Sequence, residues 1–339
     1  MDPLTHILSG AVAGLATAPE RPVAISRRER VLICALAAGF PDIDILARLS
    51  DTLTYLNFHR GITHSFVMLP LWALLLSWPL ARLRRQAHAV RDYFGVVVLG
   101  LFVHILGDWI TPWGTQLLAP LSAQSFSLNT TFIIDPVVTV LLAAGLAIAG
   151  LMRVPGAARA ALLLVASYVG LQAYLRDSAL ALAHEYAARE APDATVHVLP
   201  QPFSPAHWRL LLVAPDNYQE ADLDLWAKRE KDAAAPEASL WRKIGSSYQP
   251  AQYLRWRRIP RFGDGESAPF ARAAWGADEF AAFRRFAMFP ALYQVVHADT
   301  GDCAYFFDLR FNLNGRAPPF RFGACRQGDE WQLRPYGVE

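Results

Sequence analysis

Charged residues are scarce in this chain, and their scarcity limits the class of protein. Only 18% of the 339 residues are charged, 53% are hydrophobic, and no lysine occurs before Lys228. This composition is too apolar for an ordinary soluble enzyme. A net charge of +2 without a basic stripe argues against a nucleic-acid partner.

Cysteine is also rare, with Cys34, Cys303 and Cys325 as the three examples. Cys34 lies in an apolar run, which favours a small core residue over a reactive thiol. Cys303 and Cys325 lie almost symmetrically about a turn signal, Asn314-Gly315, between two strand-like runs. Antiparallel pairing about that turn predicts a disulfide between them if the domain lies outside the cytoplasm.

Apolar residues are concentrated before about Leu175, and they predict a polytopic helical membrane domain over residues 1–176. The apolar segments cover 4–18, 31–40, 65–83, 93–110, 131–152 and 158–175. The first segment is short and has no basic n-region, so we interpret it as a retained, partly inserted helix. The break after Phe40 requires protein or a water-filled cavity beside it.

Arginine placement predicts the orientation of this domain. Arginines cluster in the loops 20–30, 82–91 and 153–159, and the positive-inside rule assigns these loops to the cytoplasm. Counting the segments then puts residues 177–339 on the non-cytoplasmic side, together with Asp135 and the polar residues described below. We therefore predict a multi-pass protein of the cell (inner) membrane.

Residues 177–339 have an ordinary soluble composition and predict a small α+β extramembrane domain. Helix-like runs cover 178–189 and 277–289, and strand-like runs cover 195–199, 208–213, 292–297, 304–311 and 320–324. The predicted fold class is mainly α, with the helical membrane domain followed by this α+β domain.

Histidines and aspartates recur within the apolar half of the chain. Phe-Pro-Asp-Ile-Asp is followed closely by His-Arg-Gly-Ile-Thr-His-Ser, and a helical His-x-x-x-Asp comes later. Burying an ionised carboxylate in apolar surroundings costs several kcal/mol unless a partner charge or a metal compensates it. Mixed imidazole and carboxylate donors predict a divalent-metal site, with zinc as the first choice and one or two ions. The candidate ligands are His6, Asp42, Asp44, His59, His64, His104 and Asp108.

Structural explanations compete with this interpretation. His104 and Asp108 share a helical face, which suits a shared metal but also a simple hydrogen bond. Asp42 or Asp44 could cap a helix or a turn. Arg60 suits a bidentate contact with an anionic substrate, but it could instead form a salt bridge with Asp42, Asp44 or Asp51. The set as a whole favours a metal site over a purely structural polar network.

These motifs resemble the YdjM/YbcI-type family of membrane-bound, metal-dependent hydrolases. The resemblance rests on Met-Asp-Pro-Leu-Thr-His, Phe-Pro-Asp-Ile-Asp, His-Arg-Gly-Ile-Thr-His-Ser and His-x-x-x-Asp followed by Thr-Pro-x-Gly, and it covers about residues 1–175. That family is distantly similar to zinc-dependent phospholipase C and related single-strand nucleases, where a helical His-x-x-x-Asp pair binds zinc. This similarity implies that His104 and Asp108 are zinc ligands. The second helical His-x-x-x-Glu pair of those enzymes is not found here.

The sequence therefore predicts a metal-dependent hydrolase at the non-cytoplasmic membrane face. A metal-activated water would attack a phosphoester or other ester in a lipid or lipid-linked substrate. Asp42 or Asp44 would act as general base, and Arg60 would hold the anionic group. The alternatives are a non-catalytic membrane protein with a structural metal or polar network, and a transporter. The sequence does not predict an oligomeric state.

Overall fold

The computed structural model of the chain describes residues 1–19, 25–83, 89–152, 154, 156–232, 234–235, 237–297 and 301–337. The chain divides into two compact units, Met1–Tyr174 and Leu175–Glu339, whereas the predicted boundary follows residue 176. Several arginines that predict the orientation lie outside the described residues, namely Arg21, Arg84, Arg85 and Arg153.

The first unit is helical. Its helices are α1 (Pro3–Ala16), α2 (Arg27–Gly39), α3 (Thr52–Phe58), α4 (Leu69–Leu83), α5 (Ala89–Trp109), α6 (Pro136–Leu151) and the first part of α7 (Gly156–Glu190). Two 3-10 segments, Pro41–Leu49 and Ile62–His64, flank α3. Both short segments carry candidate ligands.

Two helices in the described part of the chain are long and apolar enough to cross a membrane. They are Val90–Trp109 and Gly156–Glu190, and the pair Thr52–His64 and Leu69–Leu83, bent by 81°, could form a third span. Helices α1 and α6 are apolar but shorter. The structure thus has a helical apolar unit, while the full set of predicted spans is supported only in part.

Two predicted segments have different bounds in the structure. The segment predicted over 131–152 becomes helical only at Pro136, because Asp135 caps α6 by accepting from the backbone N–H groups of Val137 and Val138. The segment predicted over 158–175 does not end there. Helix α7 continues to Glu190 and includes the run 178–189, which the sequence predicts as a separate helix.

Small residues let α1, α2 and α5 approach closely. A Cβ atom added to Gly10 would lie 2.5 Å from the Cys34 carbonyl oxygen, and one added to Gly100 would meet the same oxygen at 2.5 Å and Ala37 Cβ at 2.8 Å. Cys34 is completely buried at this contact, as its apolar context predicts. Close backbone approach of this kind is typical of helix packing in membrane proteins.

We expect Gly100→Leu to destabilise the protein by about 1–3 kcal/mol, because the added side chain must push α5 away from α2. Thermal unfolding of the purified protein in detergent measures the effect. Gly95→Leu is the matched control, since a Cβ at Gly95 on the same helix meets nothing within 4 Å. Equal losses in the two variants would contradict the close approach.

The second unit contains two four-stranded antiparallel sheets in the order of the chain. The first sheet comprises β1 (Thr195–Pro200), β2 (His207–Val213), β3 (Asn217–Asp224) and β4 (Arg257–Pro260). The second comprises β5 (Pro290–Val296), β6 (Asp302–Asp308), β7 (Phe322–Gln327) and β8 (Glu330–Pro335). Helices α8 (Leu240–Ser247), α9 (Ser267–Gly276) and α10 (Ala281–Phe286) complete the unit.

Apolar packing and buried ion pairs hold this unit together. Leu199, Leu211 and Phe307 belong to a core shared by the two sheets. Arg209 is fully buried, and its Nε lies 3.0 Å from Asp222 Oδ1. Burial disfavours the charge of Arg209, but the carboxylates of Asp222 and Glu220 outweigh it and raise its pKa above the usual value.

Sequence patterns identify part of this unit. The predicted strand-like runs correspond to β1, β2, β5, β6 and β7, with shifted ends, whereas β3, β4, β8, α8 and α9 are not predicted. The predicted helix 277–289 is too long, since α10 ends at Phe286 and β5 begins at Pro290. Cys303 and Cys325 are directly opposed on β6 and β7 and form a disulfide.

Candidate metal centre

The two aspartates of the centre lie on the 3-10 segment that follows α2. Helix α2 ends at Gly39, and Pro41, which has no backbone N–H, begins the tighter segment. Residues two apart do not share a face there. Asp42 therefore points toward α5, with Oδ1 3.8 Å from His104 Nε2, whereas Asp44 Oδ1 accepts from His59 Nδ1 at 2.9 Å.

Asp44 organises the His-Arg-Gly segment. Its Oδ2 accepts from the backbone N–H of Arg60 at 3.1 Å and from the Thr63 hydroxyl at 3.3 Å. Arg60 has a positive φ of 63°, which is costly for a residue with a side chain. This conformation produces a turn at Arg60 and Gly61, and it lets His59 and His64 both face the aspartates.

Helix α5 supplies a histidine and an aspartate one turn apart. The Nδ1 atom of His104 is 2.6 Å from the carbonyl oxygen of Ala38, so this nitrogen carries the proton and donates it. The lone pair of His104 is consequently on Nε2. That atom lies 3.4 Å from Asp108 Oδ2. A backbone carbonyl on α2 therefore fixes the tautomer that a metal ligand requires.

Four side chains from three parts of the chain converge at one point. His64 Nε2 is 3.2 Å from Asp108 Oδ2 and 3.6 Å from Asp42 Oδ1. Asp42, His64, His104 and Asp108 offer ligand atoms that lie within 4.8 Å of one another and form a group that could hold a metal ion. Among the described residues, no hydrogen-bond partner is found for His64 Nε2, His104 Nε2 or Asp108 Oδ2, although all three atoms are buried.

The spacing of these atoms fits a divalent cation. Ligand atoms at about 2.0–2.2 Å from a tetrahedral zinc ion lie about 3.3–3.6 Å from one another. The distances given above, from 3.2 to 3.8 Å, bracket that range. Buried polar atoms without partners are rare in proteins, and a shared cation would satisfy all three.

A second group comprises Asp44, His59 and His64. His64 Nδ1 lies 3.4 Å from Asp44 Oδ2 and 2.9 Å from the Thr63 hydroxyl, on the opposite side of the ring from Nε2. Asp44 can thus orient His64 toward the first group, as outer carboxylates commonly do for ligating histidines. With His59, it can alternatively contribute to a second cation, as the sequence predicts.

Asp108 divides its two oxygens between two tasks. Oδ2 faces the ligand group, while Oδ1 contacts Arg60 Nη2 at 2.9 Å, His6 Nε2 at 3.1 Å and the amino group of Met1. The centre contains two positively charged groups, the Arg60 guanidinium and the Met1 amino group, and three carboxylates, those of Asp42, Asp44 and Asp108. With the imidazoles neutral, as metal ligation requires, these groups leave negative charge in excess, which a divalent cation would offset.

His6 lies at the edge of the centre. Its ring stacks on that of His104 with 3.7 Å between the centroids, but it belongs to neither group of ligand atoms. His6 as a direct ligand therefore stays a prediction from sequence. Asp135 has its own partners, since its carboxylate accepts from Tyr168 and Gln172 as well as capping α6.

Four contacts of the centre were not assigned from sequence. Arg60 donates to the Thr111 hydroxyl at 2.6 Å and lies over the ring of Trp113, and Thr63 contacts both Asp44 and His64. Thr111 and Trp113 belong to the Thr-Pro-x-Gly motif, which begins three residues after Asp108. The closeness of this motif to a candidate ligand is the sequence signal that could have identified them.

An apolar helical unit with a buried aspartate–histidine group defines a membrane-associated protein with a candidate metal centre. Residues 1–179 match the YdjM inner membrane protein family, and this match covers more than half of the chain, so the chain belongs to that family. The uncharacterized protein YfhP of Bacillus subtilis (strain 168) is 30% identical over 153 residues, which are 44% of this chain and 46% of YfhP. The chain thus spans about half the length of this curated relative. No solved structure matches the chain.

Metal analysis separates the role of His6 from that of His64. We expect His64→Ala to lose stoichiometric metal, because it removes one of the four converging ligand atoms. His6→Ala should keep the metal with an affinity lowered by about 10–100-fold, since His6 only supports Asp108. Inductively coupled plasma mass spectrometry of the purified proteins, with a zinc titration, measures both effects.

His184→Ala, in the second unit, is the control and should leave the metal content unchanged. Equal loss of metal in His6→Ala and His64→Ala would make His6 a direct ligand. Metal absent from the wild-type protein would contradict the centre itself.

Proposed function

We propose that this protein is a membrane-embedded, metal-dependent hydrolase of phosphoester or other ester bonds in a lipid or lipid-linked substrate. The observation that carries the proposal is the group formed by Asp42, His64, His104 and Asp108 in a chain of an inner membrane family. Zinc is the proposed ion, because two imidazoles and two carboxylates at tetrahedral spacing suit it. The distant similarity to zinc-dependent phospholipase C, which rests on His104 and Asp108, agrees with this chemistry.

His64, His104 and Asp108 would hold the ion as three protein ligands, which leaves a position for a water. The ion would lower the pKa of that water toward neutrality and would polarise an ester oxygen. The side chains suggest how the protein would support this chemistry. Asp42 is the general base that we favour, because its Oδ2 has no hydrogen-bond partner among the described residues and its side chain is 18% exposed. Both oxygens of Asp44 are already engaged, so Asp44 is proposed to position His59 and His64.

Arg60 forms a salt bridge, which is the structural alternative given from sequence, but its partner is Asp108. Its guanidinium is 2% exposed, pairs with Asp108 and donates to Thr111. These contacts fix the Asp108 carboxylate with Oδ2 facing the ligand group. Contact between Arg60 and an anionic substrate stays a proposal; Arg60 Nε, which has no partner in the described part of the chain, is the donor available for it.

Hydrolysis by purified protein tests the proposal. We expect the wild type to hydrolyse phosphatidic acid or a related ester, and we expect Asp108→Asn and His64→Ala to lose activity by a factor of at least about 100, since the metal group is broken. The assay follows release of phosphate or fatty acid at matched protein concentration.

Melting temperatures separate catalysis from folding. Variants that stay folded and lose activity support a hydrolase. Wild-type protein that holds metal but hydrolyses neither phosphate nor carboxylate esters would indicate a structural metal centre instead.

We also propose that the second unit lies on the non-cytoplasmic side. The described arginines of the three predicted basic segments lie near the ends of helices α2, α4, α5 and α7, namely Arg27, Arg28, Arg30, Arg82, Arg91 and Arg159. The Cys303–Cys325 disulfide suits an oxidising compartment.

A topology reporter tests this orientation. Alkaline phosphatase fused after residue 339 should be active, because that enzyme requires disulfide formation outside the cytoplasm. A green fluorescent protein fused at the same place is the reciprocal control and should be dark. Fluorescence without phosphatase activity would reverse the orientation.

A further inference from the structure

An apolar cavity of about 690 Å³ opens beside the candidate metal centre. Its walls come from α1, α2, the 3-10 segment Pro41–Leu49, α4 and α5, and they include Ile7, Leu36, Leu76, Leu80 and Val97. Among the described residues that line it, Asp42 is the one with a charged side chain. The volume lies within the range of about 300–1,000 Å³ that is usual for small-molecule sites.

Asp42 connects this cavity to the metal group. Its Oδ1 atom faces His64 and His104, while the buried Oδ2 atom has no hydrogen-bond partner among the described residues. One end of the cavity is therefore polar and belongs to the centre. The remaining wall is hydrocarbon.

The cavity extends along α2 from Ile33 to Gly39, which corresponds to about 9 Å along a helix axis, and Asp42 follows the end of that helix. On α5 the cavity is lined by Val97, seven residues before His104. Val97 lies well inside the apolar stretch Val90–Trp109, whereas His104 and Asp108 lie near its end. A ligand in the cavity would thus have a polar end at the centre and an apolar end toward the middle of the helix.

The cavity is also open along its side. Leu36 is 64% exposed and Ile43 is 47% exposed, although both are large and apolar and both line the cavity. In an inner membrane protein such residues face lipid, so a lipid chain could enter laterally without crossing water.

We infer that this cavity binds one acyl chain of a bilayer phospholipid whose ester group reaches Asp42. This inference rests on the proposed hydrolase function for its catalytic consequence, but binding of the chain does not depend on turnover. The polar end at Asp42, the hydrocarbon wall and the lateral opening match the division of a phospholipid into a headgroup and a chain. A soluble ester of the same headgroup would use the centre but not the cavity.

Photolabelling tests the binding directly. The probe is a phosphatidic acid with a diazirine at the end of one acyl chain, added at trace concentration to the full-length protein in detergent. We expect labelling of the wall residues on α2 and α5, identified by mass spectrometry, to fall at least about tenfold in Leu76→Trp, because the indole fills the cavity. Leu75→Trp is the matched control, since Leu75 is 52% exposed on the same helix and does not line the cavity.

Leu80→Trp repeats the test at a second wall position, and melting temperatures show whether each variant is folded. Undiminished labelling of the cavity wall in both folded filling variants, or an equal loss in Leu75→Trp, would overturn the inference.

Hydrolysis provides the second readout. In Leu76→Trp the kcat/KM for long-chain phosphatidic acid should fall about tenfold, while that for a soluble short-chain phosphoester should stay near the wild-type value. Equal losses for both substrates would contradict a chain site. If the wild type hydrolyses neither ester, the proposed function fails, and the labelling result alone decides whether the chain binds.

Discussion

The Asp108 carboxylate is fully buried on an apolar helix, where an unpaired negative charge would cost several kcal/mol. Its Oδ1 atom meets Arg60, His6 and the Met1 amino group, and its Oδ2 atom faces two imidazole nitrogens that have no hydrogen-bond partner among the described residues. The partners of Oδ1 thus compensate the negative charge on one side of the carboxylate, whereas Oδ2 has no hydrogen-bond partner among the described residues. A cation fits beside Oδ2. The positive φ of Arg60 is tolerated because the Arg60 guanidinium pairs with Oδ1.

Close helix packing makes this arrangement possible. Gly10 and Gly100 bring α1 and α5 against the backbone of α2, and the same approach places the Ala38 carbonyl within hydrogen-bond distance of His104 Nδ1. A larger residue at either glycine would move the helix that carries His6 or His104. The small residues therefore determine the geometry of the centre even though they contact no ligand themselves.

The second unit pairs its buried charges within the protein. Its two antiparallel sheets share an apolar core, and its buried Arg209 is paired with Asp222 and Glu220 rather than with a shared cation. A disulfide joins its opposed strands β6 and β7. These are features of an ordinary folded domain. In the described part of the apolar unit, by contrast, buried polar atoms without a hydrogen-bond partner are concentrated at the candidate metal centre.

Local patterns in the sequence identified the candidate ligands of the centre, the apolar character of the first half and several of the strands. Such features depend on spacing along the chain, as with His104 and Asp108 on one helical face. Only the tertiary structure decided that Asp42 and Asp44 belong to different groups and that Arg60 pairs with Asp108. It also decided that the His6 ring stacks on His104 and that α7 runs unbroken to Glu190. These outcomes depend on which helices approach one another and at what distance, and contacts between residues far apart in the chain leave no periodic signal in a single sequence.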